Sequence, residues 1–232
     1  MRTEIEQYLK KNGFGAFCPK AVLFDMDGVL YDSMPNHAIA WQRSMADFGI
    51  TMTAADAYAT EGARGIDTIQ RFVKEQLGRT ISLDEAQKMY FHELPETKVF
   101  EGVKDVMEKV KKAGLAIGVV TGSGQRPLIE RLLTDFANYL DEDHITTAYD
   151  VKRGKPFPDP YLMGLQKCGN LHPYEGIVVE NAPLGIRAGV AAKCFTVAIN
   201  SGPLPDTDLT NEGANILYKT MSDFCNDLES FL

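Results

Sequence analysis

Short unbroken runs of hydrophobic residues alternate along the chain with stretches in which hydrophobic positions recur every three or four residues. The unbroken runs predict strands that are covered on both faces, because a strand with one solvated face would alternate hydrophobic and polar residues. The periodic stretches predict amphipathic helices. The predicted strands cover Ala21 to Phe24, Leu115 to Val120, Ile177 to Val179, Phe195 to Ile199 and, more weakly, Asn215 to Tyr218. Strands that take turns with helices predict an α/β fold with a doubly wound parallel-sheet core.

One part of the chain departs from this alternation. Residues 33–99 show helical spacing and no convincing strand, which predicts an all-helical domain inserted after the first strand. The core domain would then consist of residues 1–32 and 100–232. Residues 1–20 form an amphipathic extension, which we expect to be a helix packed on the edge of the core.

The composition excludes several classes of protein. Acidic residues outnumber basic ones by 32 to 24, so a protein whose main partner is nucleic acid or an anionic membrane is not expected. No hydrophobic run approaches the roughly 20 residues that a membrane crossing needs, and the N-terminus lacks the pattern of a signal peptide. The four cysteines lie far apart without metal-binding spacing, as in reduced thiols. We therefore expect a cytoplasmic protein, and we expect it to be a monomer.

Two carboxylates follow the first predicted strand. Asp25 and Asp27 stand two residues apart, so on an extended chain their side chains point to the same side. Such a pair can divide the roles of nucleophile and proton donor, or it can hold a cation. Taken alone, two acids at a strand end are more often a turn or a capping feature.

Polar groups also follow the later predicted strands. Thr121 opens a loop of hydroxyl groups and glycines that suits oxyanions, and Lys155 stands in a stiff loop before a helix. Glu180 and Asn181 add hard oxygen donors at the end of another strand. Ligands bind at the carboxyl ends of parallel strands, so these groups predict one common site. A nucleophile, a second acid, a hydroxyl, a lysine and metal donors together suit phosphoryl transfer.

These four segments resemble the four motifs of the haloacid dehalogenase-like phosphotransferases, over essentially all of residues 20–232. DMDGVLYDS, GKPFPDPYL and ENAPLGIRAG are similar to the β-phosphoglucomutase-like branch. The resemblance implies a Rossmann-like core with a helical cap. It also implies that Asp25 becomes an aspartyl phosphate and that Asp27 is the general acid and base. Thr121 and Lys155 would hold the transferring phosphoryl group.

The same resemblance implies a Mg²⁺ site and a set of substrate contacts. The Mg²⁺ would be held by the carboxylate of Asp25, the main-chain carbonyl of Asp27, and Glu180 with Asn181. His37 corresponds to a histidine that assists proton transfer in the mutases, although packing is the simpler explanation of its place on a helix. The expected contacts to the substrate or its phosphate come from Gly122, Ser123, Gln125, Arg64 and His37.

The sequence lacks two cations with which the hexose mutases hold the second phosphate of a sugar bisphosphate. The loop from Glu61 to Asp67 in the predicted insert is here called the cap loop. Gly65 stands at the position of the arginine that the mutases carry in this loop, which leaves Arg64 one residue early. Gly124 replaces the lysine that the mutases carry in the loop that begins at Thr121. Each missing cation removes a charge-assisted bond on the order of 1.5 to 3 kcal/mol. A mutase is therefore disfavoured.

The cap loop also gains an acid, Glu61, where the mutases have lysine. If Glu61 reaches the metal, the closed space is small and the substrate should be small too. This part of the sequence resembles inorganic pyrophosphatases of the Bacteroides type. The alternative is that Glu61 is a solvated residue of the cap.

We therefore expect a Mg²⁺-dependent phosphohydrolase that acts on a small phosphorylated metabolite, with pyrophosphate favoured. The alternatives that remain open are a β-phosphoglucomutase-type isomerase and a phosphatase of sugar phosphates or phosphoglycolate. A phosphorylatable signalling module is more remote, because receiver domains have about half this length and no helical insert.

Overall fold

A parallel sheet forms the centre of the molecule, for which the computed structural model describes residues 2–88 and 97–232. The strands are β1 (Ala21–Phe24), β2 (Ala116–Val120), β3 (Ile145–Thr146), β4 (Gly176–Glu180), β5 (Phe195–Ile199) and β6 (Ile216–Tyr218). Their order across the sheet is β3-β2-β1-β4-β5-β6, and every neighbouring pair is parallel. The predicted α/β fold is confirmed.

Both faces of the sheet are covered, which explains why its strands are hydrophobic without interruption. Val22 and Phe24 of β1 lie in one hydrophobic cluster, whereas Ala21 and Leu23 lie in another. Alternate residues of a strand point to opposite faces, so helices pack on each side. The helices of the core are α1 (Thr3–Asn12), α6 (Val103–Lys112), α7 (Arg126–Asp135), α8 (Asp159–Lys167), α9 (Pro183–Ala191), α10 (Asp206–Thr210) and α11 (Met221–Asp227).

The N-terminal extension forms the expected helix. Ile5, Tyr8 and Leu9 of α1 are buried in the larger core cluster. The hydroxyl of Tyr8 donates a hydrogen bond of 2.8 Å to the main-chain oxygen of Lys193. The extension is therefore an integral part of the core packing.

The insert between β1 and α6 is helical in its described part. Its helices are α2 (Met34–Ala46), α3 (Ala54–Ala59), α4 (Gly65–Leu77) and α5 (Leu83–Lys88). They share a hydrophobic cluster of their own, which includes Met45, Ile69 and Phe72. Residues 89–96 of the predicted insert lie outside the described residues, so the boundaries of the two domains stay a prediction.

The two connections to the insert run side by side. The main-chain nitrogen of Asp32 donates to the main-chain oxygen of Lys98 at 2.8 Å, and Tyr31 pairs with Val99 as an isolated β-bridge.

Within the described ranges, no helix is long and apolar enough to cross a membrane.

Candidate active site

The predicted site residues meet at the carboxyl edge of the sheet. β1 lies between β2 and β4, so the residues that follow these three strands become neighbours. Asp25 follows β1, Thr121 follows β2, and Glu180 ends β4; all three are buried. The parallel order of the central strands therefore brings together Asp25 and Glu180, which are 155 positions apart in sequence.

Lys155 is a buried cation shared by two acids. Its ammonium donates to the carboxylate of Asp25, to Oε1 of Glu180 at 2.6 Å, and to the main-chain oxygen of Val120 at 3.1 Å. Only 1% of its side chain is exposed. Burial opposes the charge of Lys155, but Asp25 and Glu180 outweigh burial and raise its pKa. Lys155 is therefore a buried charged residue of the site.

Asp25 lies in surroundings that disfavour a free carboxylate. Burial raises the pKa of Asp25 well above its usual range; Lys155 opposes this shift, whereas the negative charges of Glu180 and Asp27 add to it. The carboxylate form of Asp25 therefore needs positive charge nearby. Lys155 supplies one such charge.

Glu180 is fully hydrogen-bonded within the protein. Its Oε1 accepts from Lys155 and, at 2.7 Å, from the hydroxyl of Tyr161. Its Oε2 accepts from the main-chain nitrogens of Asn181 at 3.0 Å and Ala182 at 3.2 Å. A Cβ on Gly185 would overlap the carboxylate, so glycine at this position lets α9 approach Glu180. Glu180 therefore holds Lys155, and its role as a direct metal ligand stays a prediction.

Asp27 has two partners on the insert side of the site. Its Oδ1 accepts from the hydroxyl of Ser33 at 2.7 Å and lies 3.5 Å from Nε2 of His37. Gly28 turns the chain directly after Asp27 with a φ of +80°, where a Cβ would overlap the side chain of Asn181. Ser33 directly precedes the helix α2, and the sequence pattern did not indicate its contact with Asp27 because only the folded chain brings the two side chains together.

Glu61 faces the site from the cap loop. Its Oε2 lies 3.8 Å from Nδ1 of His37, and the side-chain ligand atoms of Asp27, His37 and Glu61 all lie within 4.8 Å of one another. Burial opposes protonation of His37, but the charges of Asp27 and Glu61 outweigh it and raise the pKa of His37 to about 9. Glu61 is therefore turned towards Asp27 and His37, as its predicted metal role requires.

The cap loop closes over a small cavity. Its volume is about 50 Å³, far below the roughly 300 to 1,000 Å³ of sites for drug-sized ligands. A Cβ on Gly122 would lie 3.0 Å from the main-chain oxygen of Ala63, so the cap loop rests against the loop that follows β2. The residues that line the cavity include Asp25, Asp27, His37, Trp41, Glu61, Thr121, Gly122, Ser123 and Gln125.

Arg64 is not brought to this cavity. Its guanidinium donates to Asp67 at 2.8 and 2.9 Å, and to the main-chain oxygen of Lys152 at 2.8 Å. It lines a neighbouring cleft of about 310 Å³ between the cap and the core. The structure therefore places Arg64 beside this cavity, and its contact with the substrate phosphate stays a prediction. At Gly124, where the mutases carry lysine, the ring of Tyr149 occupies the space that a side chain would need.

The residues present fit a divalent cation. Asn181 Oδ1 is a buried acceptor without a hydrogen-bond partner among the described residues. This is expected of an oxygen that coordinates a metal ion, since buried acceptors ordinarily have a partner. The ionisable groups that share the site are Asp25, Asp27, Glu61 and Glu180 as acids and Lys155 and His37 as bases. The acids therefore outnumber the bases by four to two. Hard oxygen donors in a site with more acids than bases suit Mg²⁺.

A family comparison agrees with this arrangement. Residues 22–199 match the family model described as haloacid dehalogenase-like hydrolase. The chain belongs to the haloacid dehalogenase-like hydrolases. Within this family it is an enzyme of the phosphatase and phosphomutase group, since its named relatives are of these kinds.

Relatives of this haloacid dehalogenase-like hydrolase span most of its length. It is 34% identical over 202 residues to hexitol phosphatase A of Escherichia coli, covering 86% of this chain and 90% of that protein. It is 30% identical over 187 residues to the phosphorylated carbohydrates phosphatase of Thermotoga maritima, covering 75% and 81%. A solved structure from Bacteroides vulgatus, provisionally named a β-phosphoglucomutase, is 44% identical with a TM-score of 0.93 and covers 98% and 95%. The predicted resemblance to this family and branch is confirmed.

Proposed function

We propose that the protein is a Mg²⁺-dependent phosphohydrolase that acts through an aspartyl phosphate on Asp25, with inorganic pyrophosphate as its favoured substrate. The observation that carries this proposal is the position of Glu61, which faces Asp27 and His37 across a cavity of only about 50 Å³. A closed space of this size suits a small inorganic substrate better than a phosphorylated sugar.

The chain's own residues suit two successive transfers of the same phosphoryl group. A carboxylate oxygen of Asp25 attacks one phosphorus of pyrophosphate, the bond to the bridging oxygen breaks, and Asp27 donates a proton to the departing phosphate. Asp27, now ionised, removes a proton from water, and the water oxygen attacks the phosphorus of the aspartyl phosphate. The second phosphate leaves and the carboxylate of Asp25 is restored. The hydrogen bond from Ser33 fixes the carboxyl group of Asp27 for both proton transfers.

Two further residues bind the oxygens of the transferring group. Lys155 already lies against Asp25 and carries the positive charge that the phosphoryl oxygens need. Thr121 Oγ1 accepts from the main-chain nitrogen of Ser123 at 3.0 Å, which leaves its hydroxyl hydrogen free to donate to a phosphoryl oxygen. The hydroxyl and glycine loop thus serves as the predicted phosphate-binding loop.

The Mg²⁺ would be held by Asp25, the main-chain carbonyl of Asp27, Asn181 and Glu61, with Glu180 beside them. When bound, the ion neutralises charge on the phosphoryl oxygens and orients the substrate. Glu61 comes from the insert whereas the other donors come from the core. We infer that closing the helical cap, residues 33–99, completes the site and excludes bulk water.

The relatives support a second candidate, a phosphatase of sugar phosphates. Hexitol phosphatase A and the phosphorylated carbohydrates phosphatase carry such substrates in their names. The site disfavours a mutase, because Gly124 has no side chain and Arg64 is bound to Asp67, so neither supplies a cation for a second phosphate.

A substrate panel separates these candidates. Initial rates with Mg²⁺ would be measured for pyrophosphate, hexose 1-phosphate, a hexitol phosphate, phosphoglycolate and a nucleoside triphosphate. We expect the highest kcat/KM for pyrophosphate. A higher kcat/KM for the hexitol phosphate would replace the proposal by the sugar phosphatase, and conversion of hexose 1-phosphate to its 6-phosphate would establish a mutase.

Substitution of Glu61 tests its proposed role in the closed site. Glu61→Ala should lower kcat/KM for pyrophosphate by about 10- to 100-fold, with part of the loss in kcat, because the contact forms in the closed, reactive state. Slow hydrolysis of sugar phosphates should change much less, since a bulky sugar keeps the cap from closing fully.

The matched control for this experiment is Glu75→Ala. Glu75 is also an acid of the cap, but 57% of its side chain is exposed, and its ion pair with Arg71 at 3.6 Å lies outside the site. We expect no change in either rate for this control. Small and equal effects of Glu61→Ala on both substrate types would show that Glu61 is a solvated cap residue.

A further inference from the structure

Tyr161 is a buried residue that contacts Glu180 and Lys155 but does not line the cavity of the site. It lies on α8 with no exposed surface, and its hydroxyl donates to Glu180 Oε1 at 2.7 Å. The same oxygen accepts from Lys155 at 2.6 Å, and the ammonium of Lys155 lies 5.2 Å from the centre of the tyrosine ring. Tyr161 therefore meets Lys155 in two ways, through the ring and through Glu180.

The hydroxyl of Tyr161 can serve only as a donor to this carboxylate. Burial raises the pKa of Tyr161 well above its usual range, and the charges of Glu180 and Asp25 add to this shift. The phenol therefore keeps its proton. Its hydrogen bond withdraws negative charge from Oε1 and fixes the direction in which the carboxylate points.

This contact affects how Lys155 is shared between two acids. Lys155 lies between Glu180 and Asp25, and each attracts the ammonium. Without the phenol, Lys155 would be the one side-chain donor to Oε1 of Glu180 among the described residues, and Oε1 would attract it more strongly. The ammonium would then move towards Glu180, away from the oxygen of Asp25 that is to carry the phosphoryl group.

We propose that Tyr161 is a positioning residue that acts through Glu180 to keep Lys155 directed at Asp25 and its phosphoryl group. This inference rests on the proposed function, in which Lys155 stabilises phosphoryl transfer. Tyr161 itself contacts neither the substrate nor the reacting atoms.

Tyr161→Phe removes the hydroxyl and keeps the buried ring. We expect kcat to fall by roughly tenfold or more, the size of effect that loss of a hydrogen bond to a charged group produces. KM should stay within about twofold, because the loss concerns the reactive state. The matched control is Tyr218→Phe, which removes a phenol that donates to the carboxylate of Asp227 at 2.5 Å on the edge strand β6; we expect its kcat to be unchanged.

A double-mutant cycle distinguishes positioning from a merely structural role. If Tyr161 acts through Lys155, Tyr161→Phe should cause no further loss of kcat in a Lys155→Ala background. A structural role would lower kcat by the same factor in both backgrounds, and that result would overturn the proposal. Crystal structures of the two single tyrosine variants give a readout besides activity: Lys155 Nζ should lie farther from Asp25 in Tyr161→Phe only, and an unmoved Nζ would also overturn it.

The cycle separates failure of this inference from failure of the proposed function. If Lys155→Ala leaves turnover of every substrate in the panel unchanged, the phosphoryl-transfer role of Lys155 is wrong and the proposed function fails. If Lys155→Ala sharply lowers turnover while Tyr161→Phe matches the wild type, only the positioning role of Tyr161 is wrong.

Discussion

Replacement of Asp25 by asparagine should lower kcat by on the order of 10⁴- to 10⁶-fold, as expected when a covalent nucleophile is removed. The amide cannot form the acyl phosphate, although it fills the same buried space at the end of β1. The fold should persist, because Glu180 still accepts the hydrogen bond of Lys155. Steady-state kinetics together with thermal unfolding would check both statements.

Asparagine can deamidate to aspartate and restore activity, so Asp25→Ala is the control for this variant. Mass spectrometry of Asp25→Asn before and after the assay would measure any reversion. If both variants keep more than a few per cent of the wild-type kcat, Asp25 is not the nucleophile. Loss of activity with a collapsed melting temperature would instead identify Asp25 as a structural residue.

Removal of divalent cations should have the second large effect. With excess EDTA we expect turnover to fall to background, and with Mg²⁺ restored we expect full recovery. The reason is that acids outnumber bases in the site and that Oδ1 of Asn181 has no hydrogen-bond partner among the described residues. Ca²⁺ should inhibit, because it binds the same hard oxygens at longer distances and with more ligands, which disturbs the alignment of the reacting groups.

A binding measurement supports the metal experiment independently of activity. Mg²⁺ that binds only the folded protein should raise the melting temperature of the wild type. The increase should be smaller in Asn181→Ala, which lacks the side-chain oxygen Oδ1. Undiminished turnover in EDTA, or equal thermal shifts in the two proteins, would contradict the metal site.

The sequence predicted the parts of this molecule that depend on local pattern. The strands β1, β2, β4 and β5 are hydrophobic on both faces, so continuous runs identified them. Residues such as Asp25 and Glu180 could be placed at one edge because the carboxyl ends of parallel strands always share an edge. The two-residue strand β3 was missed, since Ile145 and Thr146 are too few to show any period.

Features that depend on contacts between distant residues could not be read from the pattern. The helical spacing of the insert includes Phe48 and Leu77, but they are 37% and 40% exposed in the folded chain, which the spacing alone does not indicate. The contact of Tyr161 with Glu180 joins two motifs that look independent in sequence. The orientation of Arg64 depends on Asp67 and on a main-chain oxygen of the core, so its identity as arginine did not reveal where it points.

The central claim is that the phosphoryl group of pyrophosphate passes through Asp25, and one trapping experiment tests it directly. Wild-type enzyme would be mixed with ³²P-labelled pyrophosphate and Mg²⁺, quenched in acid within milliseconds, reduced with borohydride and mapped by peptide mass spectrometry. We predict transient acid-stable label on the protein and conversion of residue 25 to homoserine, with neither in Asp25→Asn. Rapid release of phosphate from the wild type without any labelled protein, or a label on another residue, would contradict the account.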